Sequence, residues 1–259
     1  MSTLLTERYY FSQKNSLKYT GTSQYKSFLK CEAAMLAELN GEYEKPKSDA
    51  LLQGSYIDAY FTGNLEKFRL KNPEIFKKDG TLKASFEHLN YLIQRLSEQP
   101  FMLSLLSGKH QKIFTGEINN VPVKIKIDSY LPNQAIVDLK CMKNFEPVYV
   151  PEKGKLPWFE AWGYDLQGAI YQEIVRQNTG KKLPFILVAV TKEKEPDFDV
   201  IQIDQEILDF ELDKFTKDIV RLDAVKKKLI EPERCGQCDY CKKTKIISKI
   251  RKSGDFYFE

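Results

Sequence analysis

The sequence lacks the long apolar runs that would place the chain in a membrane. No part of its 259 residues approaches the roughly 18 consecutive apolar residues of a membrane span. The N-terminus also lacks the apolar core of a signal peptide, and the chain has no internal repeat and no low-complexity segment. These absences predict a cytoplasmic protein with no membrane partner, whose five cysteines do not form disulfides.

A strong excess of charge of one sign is lacking too. Lys and Arg number 40 and Asp and Glu number 36, so the net charge is only +4. This balance allows a nucleic-acid partner but does not predict one. The exception is local, because residues 242–252, KKTKIISKIRK, hold six basic residues and no acidic one. They form either a solvated tail or a contact for phosphate groups.

Hydrophobic periodicity predicts one α/β domain over residues 1–259. The order of helices, three meandering strands, a helix and a further strand favours a mixed sheet flanked by helices. A core of about residues 83–204 lies between a helical part, 1–82, and a cysteine-rich part, 231–259. The predicted helices cover residues 23–41, 49–63, 83–106 (interrupted at Pro100), 158–180 and 205–230, and the predicted strands cover 111–118, 121–128, 135–141, 183–192 and 199–204. Asn119 and Asn120 predict a tight hairpin turn, and residues 147–157 a loop.

Two of these strands carry charged side chains at one end of a hairpin. Asp128 ends the second strand, whereas Asp138 and Lys140 lie two positions apart in the third and share one face. If the strands pair about their turn, the two carboxylates and the ammonium group converge. Close carboxylates resist ionisation unless a cation lies between them, and Mg²⁺ or Mn²⁺ prefers such oxygen ligands. The alternative is a solvated strand edge with ordinary surface charges.

Asp128 followed by VDLK at 137–140, within this order of elements, resembles the PD-(D/E)XK nuclease superfamily. The helix after the third strand carries Gln167 and Tyr171, the Q-x3-Y motif of its RecB/RecE-like branch. The two side chains lie four residues apart and therefore on one helical face. The resemblance implies a restriction-endonuclease-like fold, in which Gln167 and Tyr171 hold the DNA strand near the metal.

The same resemblance assigns the catalytic roles. It implies that Asp128, Asp138 and the backbone carbonyl of Leu139 bind Mg²⁺ or Mn²⁺. It also implies that Lys140 assists the water nucleophile. These four positions are the candidate catalytic centre.

Two further positions are candidate metal ligands, and their sequence signals are less specific. Asp58, in GSYIDAYF, stands where this branch usually has a metal-binding His, which is a departure from the family pattern. Glu117 stands where related enzymes often carry an acidic residue ahead of the metal-binding Asp. A solvated residue beside the hairpin turn is the alternative for Glu117.

The cysteines have metal-ligand spacing. Cys235, Cys238 and Cys241 form a C-x2-C-x2-C run, and Cys31 is preferred over Cys141 as the fourth ligand of a tetrahedral centre. This arrangement of one early and three late cysteines resembles AddB-type helicase-nucleases and the iron–sulfur nucleases of CRISPR adaptation. The resemblance implies a [4Fe–4S] cluster that joins the two ends of the chain, with Zn²⁺ as the alternative.

Together these resemblances imply a Mg²⁺- or Mn²⁺-dependent deoxyribonuclease, bacterial or phage-encoded. We expect an exonuclease of phage or prophage recombination or DNA repair, acting on duplex ends or single strands. A single-strand annealing protein is the implied partner, and ring-forming relatives allow a homo-oligomer. Two alternatives stay open: a CRISPR-adaptation-type iron–sulfur nuclease, and a metal-stapled DNA-binding protein with an inactive nuclease fold.

Overall fold

A computed structural model describes residues 5–248, 250 and 252–256 of the protein. Its centre is a five-stranded mixed sheet with the strand order β1-β2-β3-β6-β7. Only the β3–β6 pair is parallel, and the other neighbours are antiparallel. The strands are β1 (Lys109–Ile118), β2 (Val121–Leu131), β3 (Ala135–Met142), β4 (Val148–Val150), β5 (Gly154–Leu156), β6 (Phe185–Thr191) and β7 (Phe198–Gln202).

Helices cover both faces of this sheet. They are α1 (Glu7–Tyr10), α2 (Gln13–Lys18), α3 (Thr22–Lys30), α4 (Glu32–Asn40), α5 (Asp49–Phe61), α6 (Leu65–Lys71), α7 (His88–Ser97), α8 (Pro100–Leu106), α9 (Trp158–Ala161), α10 (Tyr164–Thr179), α11 (Gln205–Lys226) and α12 (Asp239–Lys243). Short 3₁₀ helices cover Pro73–Ile75, Ala84–Phe86 and Ser253–Phe256. In the described part of the chain, no helix combines the length and apolarity that crossing a bilayer requires.

The sheet separates two hydrophobic cores. Along β6, Phe185 and Leu187 face the core that contains side chains of α3, α10 and α11. Val188 and Val190 face the core that contains side chains of α5 to α8. Because successive strand residues point to opposite faces, the continuous apolar run of β6 fills both cores. The predicted mixed sheet flanked by helices is confirmed.

The three strands of the predicted β-meander are present, but β2 runs to Leu131, beyond its predicted end at Asp128, because Ser129 and Tyr130 pair with both β1 and β3. Three other segments differ as well. The hairpin turn at Asn119 and Asn120 has the predicted positive φ angles of 48° and 61°. The predicted helix 23–41 breaks at Cys31, which is extended with φ −169°. The predicted helix 158–180 breaks before Gly163, which takes a left-handed φ of 64°. Residues 147–157, predicted as a loop, contain the β4–β5 hairpin.

The feature that positions the site is an opening between β2 and β3. These strands pair over only three residue pairs, from Ser129↔Val137 to Leu131↔Ala135. The next pair would be Asp128 opposite Asp138, and there the ladder stops. β3 instead continues its pairing with β6 on the other side. Beyond Asp128 and Asp138 the two strands do not pair with each other, so the polar groups along their facing edges can contact other side chains or a ligand.

Candidate active site and cysteine centre

The predicted carboxylates meet where β2 and β3 part. Lys140 Nζ forms an ion pair with Asp138 Oδ2, and the Asp138 side chain is almost wholly buried. The Asp128 Oδ2 atom accepts a hydrogen bond of 3.1 Å from the backbone N–H of Leu139. The side chain of Asp128 thus takes the place of a missing ladder bond and is held beside β3. The sequence prediction that these three charged residues converge agrees with this geometry.

Asp58 joins this group from helix α5. The Gln111 Nε2 atom lies 3.4 and 3.5 Å from the two Asp58 carboxylate oxygens and 3.5 Å from Asp128 Oδ1. Gln111 sits where the β1–β2 pairing is interrupted, with a positive φ of 51°. Sequence reasoning missed Gln111, because nothing in the alternating pattern of β1 marks this irregularity.

The surroundings of Asp128 and Asp58 raise the cost of ionising these two carboxyl groups. Burial raises the pKa of Asp128 well above its usual value, and the charges of Asp138 and Asp58 raise it further. Burial also raises the pKa of Asp58 to about 6, although Lys126 partly opposes this shift. Burial alone would lower the pKa of Lys140, but attraction by Asp138 and Asp128 reverses the direction, so that its pKa is raised. The cluster thus places three carboxyl groups beside the one ammonium group of Lys140.

Gln167 and Tyr171 lie on α10 and contact this group directly. Gln167 Nε2 donates a 2.5 Å hydrogen bond to Asp138 Oδ1. The Tyr171 hydroxyl donates a 3.0 Å hydrogen bond to the backbone carbonyl of Lys126, on β2. Both side chains are largely buried, and both also line the groove described below. These hydrogen bonds orient the Asp138 carboxylate and connect α10 to β2.

The structure does not bring Glu117 to the carboxylates. Glu117 is exposed and pairs with Pro122 at the far end of the β1–β2 hairpin. Six residues separate Pro122 from Asp128 along β2, which corresponds to about 20 Å. The Glu117 backbone exchanges hydrogen bonds with Gln177 instead. Its position corresponds to the solvated alternative of the sequence interpretation.

The carboxylates open into a groove with a volume of about 1150 Å³. Its walls include parts of α1 to α6, β2, β3 and α10. Five acidic side chains line it, three of them the site aspartates. Basic side chains outnumber these, and they are Lys26, Lys47, Lys67, Lys71, Lys124, Lys126 and Lys140. Such a row of cations complements a phosphate backbone.

Lys26 is a second lysine beside Lys140 that sequence reasoning missed. Its Nζ atom lies 4.8 Å from the centre of the Tyr164 ring, and Lys140 Nζ lies 4.7 Å from the same ring. Lys26 also donates to the backbone carbonyl of Trp162, at 2.9 Å. Burial and the nearby charge of Lys140 lower its pKa to about 7. Because Lys26 comes from α3, only tertiary packing places it here.

The four predicted cysteines also come together. The sulfur atoms of Cys31, Cys235, Cys238 and Cys241 all lie within 4.8 Å of one another. The Cys31 and Cys241 sulfurs are 3.6 Å apart although 210 residues separate them, and both residues are buried. Cys141 is not part of this group. The break of the predicted helix at Cys31 places its sulfur between α3 and α4, where α12 brings Cys241.

Backbone N–H groups point at these sulfurs. The Cys238 N–H donates to the Cys235 sulfur at 3.4 Å, and the Cys241 N–H donates to the Cys238 sulfur at 3.5 Å. Hydrogen bonds from the backbone N–H groups of Cys238 and Gln237 lower the pKa of Cys235 to about 6. This environment favours a thiolate at Cys235, which is the form that binds metals, whereas burial raises the pKa of Cys238 to about 12. The four cysteines therefore suit a metal centre.

The basic segment 242–252 starts beside this centre. Lys242 and Lys243 end α12, and both are exposed, as is Lys245. Lys249 and Arg251 lie outside the described residues. The prediction that this segment contacts phosphate groups stays a prediction.

A mixed sheet that parts between two aspartates, with a lysine two residues after the second one, defines a PD-(D/E)XK-type domain. Residues 21–244 match the family described as a PDDEXK-like domain of unknown function, DUF3799. The chain therefore belongs to this PDDEXK-like family. The resemblance to the PD-(D/E)XK superfamily predicted from the sequence is confirmed.

One solved structure with high similarity also supports a nuclease. A crystal structure named "Putative exonuclease", from Eubacterium rectale, is 41% identical, has a TM-score of 0.93 and covers 98% of each chain. The structure of SSO0001 is 13% identical over 75% of this chain and 85% of that chain, with a TM-score of only 0.30. No curated protein matches the chain. The family and the Eubacterium rectale structure support a nuclease.

Proposed function

We propose that the protein is a Mg²⁺- or Mn²⁺-dependent DNA exonuclease that hydrolyses phosphodiester bonds in the lysine-lined groove. One observation carries the proposal: Asp58, Asp128 and Asp138 meet Lys140 in a groove whose other charges are mainly lysines. Carboxylates bind the hard cation, and lysines attract the nucleic acid. The exonuclease name of the 41% identical structure supports the choice of reaction.

The site fits a divalent cation because its carboxylates offer more acceptor atoms than the described residues supply donors. Both Asp58 oxygens and Asp128 Oδ1 share the single amide group of Gln111, at 3.4–3.5 Å. The N–H and C=O groups of one strand residue point to the same side, so the Leu139 carbonyl faces the same opening as its N–H. Asp128, Asp138, the Leu139 carbonyl and Asp58 would therefore hold the cation. Glu117 is left out of this set.

The side chains around the carboxylates have distinct tasks. A bound cation would lower the pKa of a water molecule and offset negative charge on the attacked phosphate. Because the pKa of Lys140 is raised, its ammonium group keeps its proton near neutral pH. In that form Lys140 would orient the water or neutralise charge on the attacked phosphate. Gln167 holds the orientation of Asp138 through its hydrogen bond.

We propose that the cysteine centre holds one tetrahedral metal ion and stabilises the fold. An ion about 2.3 Å from each of four sulfurs places those sulfurs about 3.8 Å apart. The Cys241 sulfur lies 3.6 and 3.9 Å from the sulfurs of Cys31 and Cys235, and all four sulfurs lie within 4.8 Å of one another, so the group is close to this size. In a [4Fe–4S] cluster each thiolate binds a different iron atom, so the sulfurs lie farther apart. The spacing thus favours Zn²⁺ over the iron–sulfur cluster that the sequence predicts.

The biological role rests on the resemblance alone. It comprises recombination of a phage or prophage, or DNA repair, with a single-strand annealing protein as partner. The proposal of a homo-oligomer likewise comes only from the resemblance, through its ring-forming relatives. The CRISPR-adaptation type shares the site chemistry but requires the iron–sulfur cluster, so anaerobic purification separates the two. A brown protein that contains iron favours the CRISPR-adaptation type, and a colourless protein with one zinc per chain contradicts it.

A digestion assay tests the enzyme. Linear duplex DNA and closed circular DNA are incubated with wild type, Lys140→Ala and Lys155→Ala across a Mg²⁺ and Mn²⁺ titration. Lys155 is an exposed lysine of β5 and serves as the matched control. We expect wild type and Lys155→Ala to degrade only the linear DNA, and Lys140→Ala to lose about 10²–10⁴-fold in rate. If wild type leaves all DNA intact but binds it, the inactive DNA-binding alternative is correct.

A further inference from the structure

The groove carries an exposed aromatic side chain close to the carboxylates. Phe11, at the C-terminal end of α1, lines the groove and is 72% exposed. The neighbouring Tyr10 is 7% exposed, and its ring meets that of Phe11 edge to face with 4.9 Å between centroids. Phe11 thus has one packed side and a large open surface toward the groove.

Contacts on two sides anchor helix α1, which carries Phe11 at its C-terminal end. The Tyr10 carbonyl accepts a 2.5 Å hydrogen bond from Lys124 of β2. On the other side, Glu7 forms a 2.9 Å ion pair with Lys67 of α6. All four of these residues line the groove. Helix α1 is therefore attached to both β2 and α6, and Phe11 is presented by an anchored segment.

A cation lies between the Phe11 ring and the carboxylates. Lys126 Nζ is 5.2 Å from the Phe11 ring centre and 5.9 Å from that of Tyr10. Lys126 precedes Asp128 by two residues on β2, a step of about 7 Å. Its charge also reaches Asp58 and partly opposes the rise of that residue's pKa. An aromatic face, the Lys126 ammonium group and the candidate metal site thus lie together in the groove.

We propose that Phe11 stacks against an unpaired base of the DNA strand that enters the groove, while Lys126 contacts the adjoining phosphate. Alternation of aromatic and basic side chains is the way proteins bind single strands without reading sequence. Bases inside a duplex are stacked on both faces, so Phe11 can meet a base within the strand only where that strand is unpaired. The strand that reaches the site is then unpaired, also where the substrate is a duplex end, and the blunt duplex probe tests stacking on a terminal base pair instead. This inference rests on the proposed function, since it assigns the strand to that site.

Binding in EDTA tests the inference without cleavage. The probes are a single-stranded oligonucleotide with one 2-aminopurine, whose fluorescence falls on stacking, and a blunt duplex of equal length. The proteins are wild type, Phe11→Ala, Phe11→Trp and Phe101→Ala. Phe101 of α8 is 66% exposed and does not line the groove, which makes it the matched control. We expect Phe11→Ala to bind the single strand about tenfold or more weakly and to lose the quenching, while Phe11→Trp retains both.

Two results would overturn the inference. One is equal quenching and affinity for Phe11→Ala and wild type, and the other is an equal loss in Phe101→Ala. Digestion of the same oligonucleotide with Mg²⁺ separates this failure from that of the proposed function. Cleavage without any effect of Phe11 contradicts only the stacking role. Phe11-dependent binding without cleavage by wild type contradicts the enzyme.

Discussion

The carboxylate site and the cysteine centre are two clusters of candidate metal ligands built in opposite ways. The carboxylates of Asp128 and Asp138 come from adjacent strands ten positions apart in sequence, and they face an open groove. The sulfurs of Cys31 and Cys241 come from opposite ends of the chain and are buried. An open site leaves positions for water and substrate, whereas four protein ligands saturate a tetrahedral ion. The open cluster suits catalysis, and the closed one suits stabilisation.

This contrast makes the activity of the open cluster the easiest to destroy without unfolding the protein. We expect Asp138→Asn to lower the rate of DNA cleavage by about 10²–10⁴-fold, because the metal loses an anionic ligand and Lys140 loses its ion-pair partner. The amide keeps the shape of the side chain. The measurement is cleavage of linear duplex DNA, with circular dichroism and metal content of the cysteine centre as controls. A loss of the cysteine-bound metal in this variant would contradict the independence of the two clusters.

Loss of a ligand from the cysteine centre should lower stability strongly and change the cleavage rate little. We expect Cys31→Ser to lose the cysteine-bound metal and about 3–5 kcal/mol of the free energy of unfolding, because the centre joins α4 to α12. The cleavage rate per folded molecule stays within a few-fold of wild type. Thermal unfolding, metal analysis and cleavage at a temperature below the transition measure the three quantities. Cys141→Ser, outside the cluster, is the matched control, and an equal effect there would show that the centre is not the cause.

The sequence predicts the main ligands of both clusters, but it does not predict every residue around them. Asp128, Asp138 and Lys140 were predicted because alternation and a hairpin turn are local signals, and these bring the residues together without further knowledge. Gln111 and Lys26 carry no such signal, since a backbone irregularity and the packing of α3 place them. The Cys31 break in the predicted helix 23–41 has the same cause. It depends on sulfur atoms more than 200 residues away, whereas helical periodicity reports only neighbours.

Without its cation, the carboxylate site should make the stability of the folded protein depend on pH. The raised pKa of Asp58, about 6 against 3.8, means that the folded protein binds its proton more tightly than the unfolded chain. Stability of the metal-free protein therefore falls as the pH rises from about 4 to about 6, and the penalty persists above that range. We expect Asp58→Asn in EDTA to be about 1–3 kcal/mol more stable than wild type at pH 8 and equal to it at pH 4.

Adding Mg²⁺ at pH 8 should invert that order. Wild type gains stability when its carboxylates gain a cation, and Asp58→Asn gains less because one ligand is missing. Thermal unfolding with and without Mg²⁺ at the two pH values measures both effects. Asp79→Asn is the matched control, since Asp79 is an exposed carboxylate bound by Thr81. A Mg²⁺ response of Asp58→Asn equal to that of wild type would remove Asp58 from the metal site.

The smallest effect is expected at Glu117, the candidate ligand that the structure leaves far from the others. Its side chain is exposed, and only its backbone bonds with Gln177. Glu117→Gln removes the charge and keeps those backbone hydrogen bonds, so the free energy of unfolding should change by less than about 0.5 kcal/mol. The cleavage rate and its Mg²⁺ dependence should equal those of wild type, because about 20 Å along β2 separates the residue from Asp128. A shift in the Mg²⁺ concentration for half-maximal cleavage would mean that the hairpin folds back to the groove during catalysis, which would place Glu117 in the open cluster after all.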